Sequence, residues 1–425
     1  VFGRSPVLAY RSRAMKPITP DSTPGPGSVA EVFGAFLRLG CTSFGGPVAH
    51  LGYFRTEFVQ RRRWLDDGAY ADLVALCQFL PGPASSQVGF ALGLQRAGWG
   101  GALAAWLGFT MPSALLLIGL ALGLAQGVAT AGPAAAGALH GLKLVAVAVV
   151  AQALWGMARS LCPDAPRAAL ATAAALLAWA VPGVAGQWGV IVLGGLVGHW
   201  VLKPPPLVPR AHAHSGVGRR SGAVLLALAA ALLLLLPALA TSSGSGWLQA
   251  VAVVYQAGAL VFGGGHVVLP LLQAGVVPPG WISPEAFMAG YGATQAVPGP
   301  LFTFAAYLGA AMQWPGAGAA GGVTGGLSML LAVFLPGLLL VAGALPFWET
   351  LRQRAGVQRA MAGINAAVVG LLAAALAGPV GGAALHTLAD LALAAVALVL
   401  LMRWRWPPPV LVLLAAVSGA GLGMH

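Results

Sequence analysis

The chain has 425 residues, of which 58% are hydrophobic and only 8% charged, with a formal net charge of +12 and a mean hydropathy of +0.84. A soluble domain carries roughly 25% charged residues, so this composition excludes a water-soluble globule and leaves an integral membrane protein. The basic excess lies between apolar segments, where membrane topology accounts for it. The lipid bilayer is therefore an expected partner and nucleic acid is not.

The apolar runs are long, continuous and rich in Leu and Ala. They fit helices, not the alternating segments of about ten residues that build a membrane barrel. Residues 1–27 are basic and then rich in Pro, Gly and Ser. They lack the apolar core of a signal peptide and are expected to be disordered, with Met15 a candidate natural start. Apolar segments follow at about 28–46, 69–94, 98–125, 137–158, 168–182 and 186–202. A basic linker spans 203–221. Further segments lie at about 222–240, 247–264, 284–311, 320–345, 357–378, 382–402 and 406–424.

A short unit is written twice. Phe44-Gly45-Gly46-Pro47 is followed by Trp64, Gln78 and Pro81-Gly82-Pro83. Phe262-Gly263-Gly264-Gly265 is followed by Trp281, Gln295 and Pro298-Gly299-Pro300, with the same Trp to Pro-Gly-Pro spacing. Phe109-Thr110-Met111-Pro112 matches Phe334-Leu335-Pro336, and Gly141-Leu142-Lys143 matches Gly363-Ile364-Asn365. Residues 28–202 and 247–425 thus read as two homologous repeats, joined by the linker and an extra helix at 222–240. A duplicated apolar unit with helices broken by Gly and Pro is the pattern of a secondary transporter.

Charge orients the halves. The loop at 47–68 carries Arg55, Arg61, Arg62 and Arg63, and its counterpart at 265–283 carries no Lys or Arg. The loop at 126–136 carries none, and its counterpart at 346–359 carries Arg352, Arg354 and Arg359. Under the positive-inside rule the repeats are inverted, with the extra helix supplying the inversion. The fold expected is an all-α membrane protein of about nine full spans plus four re-entrant or half-helix segments. Its N-terminus and linker are cytoplasmic and its C-terminus periplasmic. Two full crossings of the early segments are the alternative, and would move Arg55 to Arg63 outside.

The breaks are the expected site. A helix that ends in mid-membrane leaves backbone groups unpaired, at a cost of several kcal/mol each in hydrocarbon. Pro81, Gly82 and Pro83 cannot continue a helix, whereas proline suits the first turn of a new one. A half-helix should therefore start at Ala84, with its free N–H groups and positive dipole end facing the break and Ser85, Ser86 and Gln87 adding donors. Such a terminus suits an anion. Pro298, Gly299 and Pro300 repeat the break, with Thr303 as the remaining side-chain donor. Ser43, Gly45 and Gly46, and Gly263 and Gly264, form the second pair of breaks.

Among polar residues in apolar segments, Arg38 and Lys143 are candidate anion contacts, with snorkelling or an interfacial place as the alternatives. Asn365 occupies the place of Lys143 in the second copy. Gln78 and Gln295 contact substrate or satisfy the broken backbone, and His266 follows the second glycine turn. Asp72, and His386 with Asp390 at i, i+4 spacing, are candidate proton carriers. Cys41, Cys77 and Cys162 are scattered and support neither a disulfide framework nor a metal site. No cofactor motif or nucleophile–base constellation appears, so an enzyme is not expected.

The stretches Phe36-Leu37-Arg38-Leu39-Gly40 to Pro47, Leu76-Cys77-Gln78-Phe79-Leu80-Pro81-Gly82-Pro83 with Ser85-Ser86-Gln87, Val261 to Gly265, and Gln295 to Pro300 resemble the chromate ion transporter family in its long two-domain form. The resemblance covers about residues 30–425. It implies a bacterial inner-membrane exporter of chromate that confers resistance, driven by the proton gradient. Sulfate is a tetrahedral dianion of similar shape, and a site of N–H groups with Arg and Ser would accept either. Leu301, Phe302 and Phe304 depart from the polar run of the first copy, so the first half is expected to supply most anion contacts. A potential-driven uniporter or channel is the alternative. The oligomeric state stays open, with a homodimer compatible.

Overall fold

The computed structural model describes residues 27–127, 133–203, 216–313 and 321–422. Residues 1–26 of the terminus expected to be disordered, and linker residues 204–215, lie outside that set. The described residues form an all-helical protein: α1 (Val29–Thr42), α2 (Gly46–Phe54), α3 (Asp67–Phe79), α4 (Ala84–Gly127), α5 (Pro133–Leu161), α6 (Ala165–Ala180), α7 (Val184–Val201), α8 (Arg219–Ser243) and α9 (Gly246–Ala259). Then come α10 (Val268–Val276), α11 (Pro284–Thr294), α12 (Phe304–Ala311), α13 (Gly322–Ala344), α14 (Trp348–Arg352), α15 (Ala355–Ala375), α16 (Leu388–Arg403) and α17 (Pro408–Leu422). Six helices among the described residues are long and apolar enough to cross a membrane: those beginning at Ala84, within α5 at Gly137, and at Val184, Arg219, Gly322 and Ala355.

Local sequence sets the helix starts. Ser28, Asp66, Asp164, Ser245, Ser283 and Thr387 each cap a helix by accepting a hydrogen bond from a free N–H of its first turn. α4 is two helices joined end to end, because Ala97 and Gly98 leave the helical conformation. This is the gap expected between the segments 69–94 and 98–125.

The early segments form hairpins that return to the end where they began. Glu31, at the start of α1, accepts from Arg96 at 3.1 Å and from the Trp64 indole at 3.2 Å, and faces Arg62 at 3.8 Å. The start of α1, the end of its returning arm and the end of the first part of α4 therefore meet. Arg62 and Arg96 also lie over the Trp64 ring, at 5.8 and 5.3 Å. Burial opposes ionisation of Glu57, but hydrogen bonds from Arg62 and attraction to Arg61 prevail and hold its carboxyl below the usual range. In the second half the Gln313 N–H donates to the Trp281 carbonyl at 2.8 Å, so the α11–α12 hairpin closes in the same way.

The two halves interlock. The last two helices of the first half, α6 and α7, pack on α15 of the second, while α16 and α17 pack on α5 of the first. Glycine allows the close approach at both crossings. A methyl group on Gly363 would overlap the Gly194 carbonyl, and one on Gly141 would overlap the Ala415 carbonyl. Small residues of this kind drive helix association where lipid removes the hydrophobic incentive. α8 is mostly exposed and packs through one side on α9, α13 and the turn Leu345–Phe347, as a lipid-facing helix should. Gly363→Val should force α15 away from α7 and cost about 1–3 kcal/mol, read as a lowered thermal unfolding midpoint in detergent. An unchanged midpoint would show that the crossing is not tight.

Candidate functional site

Each half contributes two broken tips, and the four tips meet. α3 ends at Phe79, the chain turns through Leu80 to Pro83, and α4 opens at Ala84, the residue expected. α11 ends at Thr294, and a short 3-10 turn (Leu301–Thr303) leads into α12. Gly82 and Gly299 adopt φ of +120° and +103°, a region that favours glycine. Their N–H groups cross to the other half. Gly82 donates to the Val261 carbonyl at 2.7 Å, and Gly299 donates to the Ser43 carbonyl at 2.9 Å. Val261 and Ser43 each immediately precede a Phe-Gly-Gly turn. Each Pro-Gly-Pro break is thus tied to the glycine break of the opposite repeat.

A cavity of about 80 Å³ lies beside this junction, with room for several waters or one small oxyanion. It is lined by Gly45 and Gly46 of the first half, by His266, Thr294, Gln295, Val297, Gly299 and Leu301 of the second, and by Val149, Gln152 and Pro408. His266 Nδ1 lies 2.7 Å from the Tyr291 hydroxyl, which fixes the ring. The Gln295 side-chain amide nitrogen is buried beside the Tyr291 hydroxyl and makes no hydrogen bond of ordinary geometry, which leaves a donor for a ligand.

A second polar group surrounds the α4 N-terminus. Ser85 Oγ lies 3.4 Å from His50 Nδ1, and the His50 ring packs edge-on to Phe109 at 5.1 Å. Ser43 Oγ, His50 Nε2, Ser86 Oγ and Thr110 Oγ1 are all buried and unpaired. Gln87 serves the fold instead. Its amide donates to the Pro81 carbonyl at 2.9 Å and to the Gly337 carbonyl at 3.0 Å, tying the break to α13.

Other candidates lie elsewhere. Arg38 is exposed on α1 beside Leu37 and Cys41, and Gln78 is also exposed, so neither lines this cavity. Lys143 is buried, and no side chain among the described residues pairs with it. The buried Asn365 Oδ1 is unpaired and points towards Gly263. The Thr303 hydroxyl donates to the Pro300 carbonyl at 2.7 Å, which engages its proton within the turn. Asp72 is buried and accepts from Trp348 Nε1 at 3.1 Å and Arg352 at 2.9 Å, joining α3 to α14. Asp390 does not pair with the His386 imidazole. It accepts the His386 backbone N–H at 3.0 Å, while its imidazole partner is His140 of α5 at 2.6 Å. His50, His140, Gln152 and Thr294 were missed in the sequence. Only Thr294, beside Gln295, carried a local signal.

Asp72→Ala should leave the Trp348 indole N–H unpaired and Arg352 held by Glu349 alone and cost about 1–3 kcal/mol, measured by thermal unfolding in detergent. A loss under about 1 kcal/mol would put this ion pair in the class of surface bridges.

The chromate transporter family model matches residues 30–199 and again 248–420, one match for each half. The chromate transport protein of Pseudomonas aeruginosa is 29% identical over 380 residues, covering 86% of this chain and 84% of the relative. The probable chromate transport protein of Synechococcus elongatus is 25% identical over 372 residues, covering 85% and 86%. The chromate transport protein of Cupriavidus metallidurans is 26% identical over 345 residues, covering 80% of each. No solved structure matches the chain.

Proposed function

The chain belongs to the chromate transporter family, and from that premise we propose that it exports chromate from the cytoplasm by alternating access. It is a multi-pass membrane transporter and not an enzyme. The observation that carries the reading is the meeting of four broken tips beside a cavity in whose wall the buried Gln295 amide nitrogen has no protein partner. Irregular backbone at membrane depth is tolerated where it lines such a cavity. Neutral N–H and amide donors at a helix start suit a tetrahedral dianion, so sulfate should compete with chromate.

The topology read from the charges agrees with the hairpins. With Glu31, Arg62 and Arg96 gathered at one end, the proposed topology has four re-entrant arms and nine crossing helices. The reciprocal packing of α6 and α7 on α15, and of α16 and α17 on α5, supports inverted repeats. The N-terminus and linker are then cytoplasmic, the C-terminus is periplasmic, and the host membrane is the bacterial inner membrane. Transport proceeds as one repeat rocks against the other. Proton coupling runs through ionisable groups away from the cavity, Asp390 among them, and export lowers cytoplasmic chromate, hence resistance.

Gln295→Ala should cut chromate flux into proteoliposomes at least about tenfold, the value of one lost buried hydrogen bond of about 1.4 kcal/mol, while insertion is retained. Unchanged flux would take the cavity off the pathway. Single cysteines at Arg62 and Arg352 in a background without the three native cysteines should both label from the cytoplasmic side. Labelling of Arg62→Cys from outside would replace the first re-entrant arms by full crossings.

A further inference from the structure

The pair formed by His140 and Asp390 lies outside the cavity. We infer that His140 and Asp390 hold the coupling proton of transport, and that the pair parts when α5 moves; this rests on the transport reading above. Both residues are buried, at 6% and 5% exposure. One Asp390 oxygen accepts the backbone N–H groups of His386 and Thr387, at 3.0 and 2.9 Å. The other oxygen is left for His140 at 2.6 Å. The carboxylate is therefore fixed at the start of α16, and only the imidazole can leave.

Where the imidazole sits gives the pair its leverage. α5 carries His140 near its start, Val149 and Gln152 in the cavity wall, and Met157 and Leu161 against Gly263 and Gly264. One helix thus touches the glycine turn of the second repeat, shares the cavity wall with Gly45 and Gly46 of the first, and is latched to the second half by the pair. From His140 to Gln152 the rise along α5 is about 18 Å, so the proton and the anion occupy separate places on one moving element. Replacement of a buried ion pair by apolar residues is often neutral or stabilising, and an ionisable pair within the membrane usually serves function.

The proton balance follows from the contacts. Paired, the imidazole and carboxylate share one proton. Parted, Asp390 remains a carboxylate, held by two backbone N–H groups, the Thr387 capping box and the helix start. On parting, that proton passes from His140 to water. The ionisable groups on the elements around the pair are Lys143 and, in the last turn, Arg159 on α5, His386 at the start of α16 and Arg403 at its end, Glu285 and Tyr291 on α11, and Arg359 on α15; α17 carries none over 408–420.

The test reconstitutes the full chain in proteoliposomes and separates chromate–chromate exchange from accumulation driven by a pH gradient at zero potential. His140→Gln and Asp390→Asn should keep exchange within about twofold of the starting protein and lose gradient-driven accumulation at least about tenfold, within the usual range of a coupling energy. The swap His140→Asp with Asp390→His should restore part of it. Gradient-driven accumulation at the original level in either single variant overturns the assignment. So does equal loss of exchange and accumulation in His140→Gln, the result expected of a purely structural tie. A starting protein that exchanges chromate but ignores the pH gradient also overturns it and leaves the transport reading intact, whereas one without exchange removes the transport reading itself. If Asp390→Asn fails to insert, His140→Gln and the swap decide.

Discussion

Backbone polarity inside an apolar solvent is the constraint on which this structure depends. Four helices stop short and leave N–H and C=O groups without helical partners, each worth several kcal/mol if unmet in hydrocarbon. The protein meets the demand crosswise, with Gly82 donating to Val261 and Gly299 to Ser43. Each Pro-Gly-Pro break is thus met in part by the other repeat, and the two copies complete one another.

The same logic separates backbone left unmet from backbone that is tied down. Gln87 caps the Pro81 and Gly337 carbonyls, and Thr303 caps Pro300, so those polar groups stabilise the turns. Gln295 Nε2, Ser86 Oγ and His50 Nε2 have no such partner. At the hairpin bases the problem reverses, because charge is abundant there. Glu31 gathers Arg62, Arg96 and the Trp64 indole, and the two arms and α4 become one rigid foot. A mobile centre needs fixed ends, and the chain places its ionic network at the ends.

The repeat, the breaks and the start of α4 at Ala84 were legible because Gly and Pro act locally. A residue without a donor, or without a Cβ, marks its own position whatever surrounds it. Partner choice was not legible. His386 and Asp390 stand at helical spacing, yet Asp390 lies in the first turn of α16, where its carboxylate turns back to cap the helix. It thereby meets His140, 250 residues away in sequence. Arg38 and Gln78 shared the same ambiguity: a polar residue in an apolar run faces either a cavity or the outside, and only the packing of α1 and α3 decides. The polar run after the first Pro-Gly-Pro suggested that the first half holds the anion. The cavity instead draws most of its wall from the second half, because Gln87 and Ser85 are turned towards α13 and His50.

A neutral cavity suits an anion that must leave. Among the described residues no Arg or Lys lines it; Lys143 is buried away from its wall and Arg38 is exposed on α1. A fixed cation in a dry site would bind a dianion strongly in every state and slow its release. On the proposed reading the Gln295 amide holds it through geometry, and that geometry changes when α5 moves. An inside-negative potential already favours the departure of each negative charge by about 2.3 kcal/mol per 100 mV. On the proposed reading the site needs only to select and release, while the work of moving charge falls to the membrane potential and to protons carried elsewhere on the same helix.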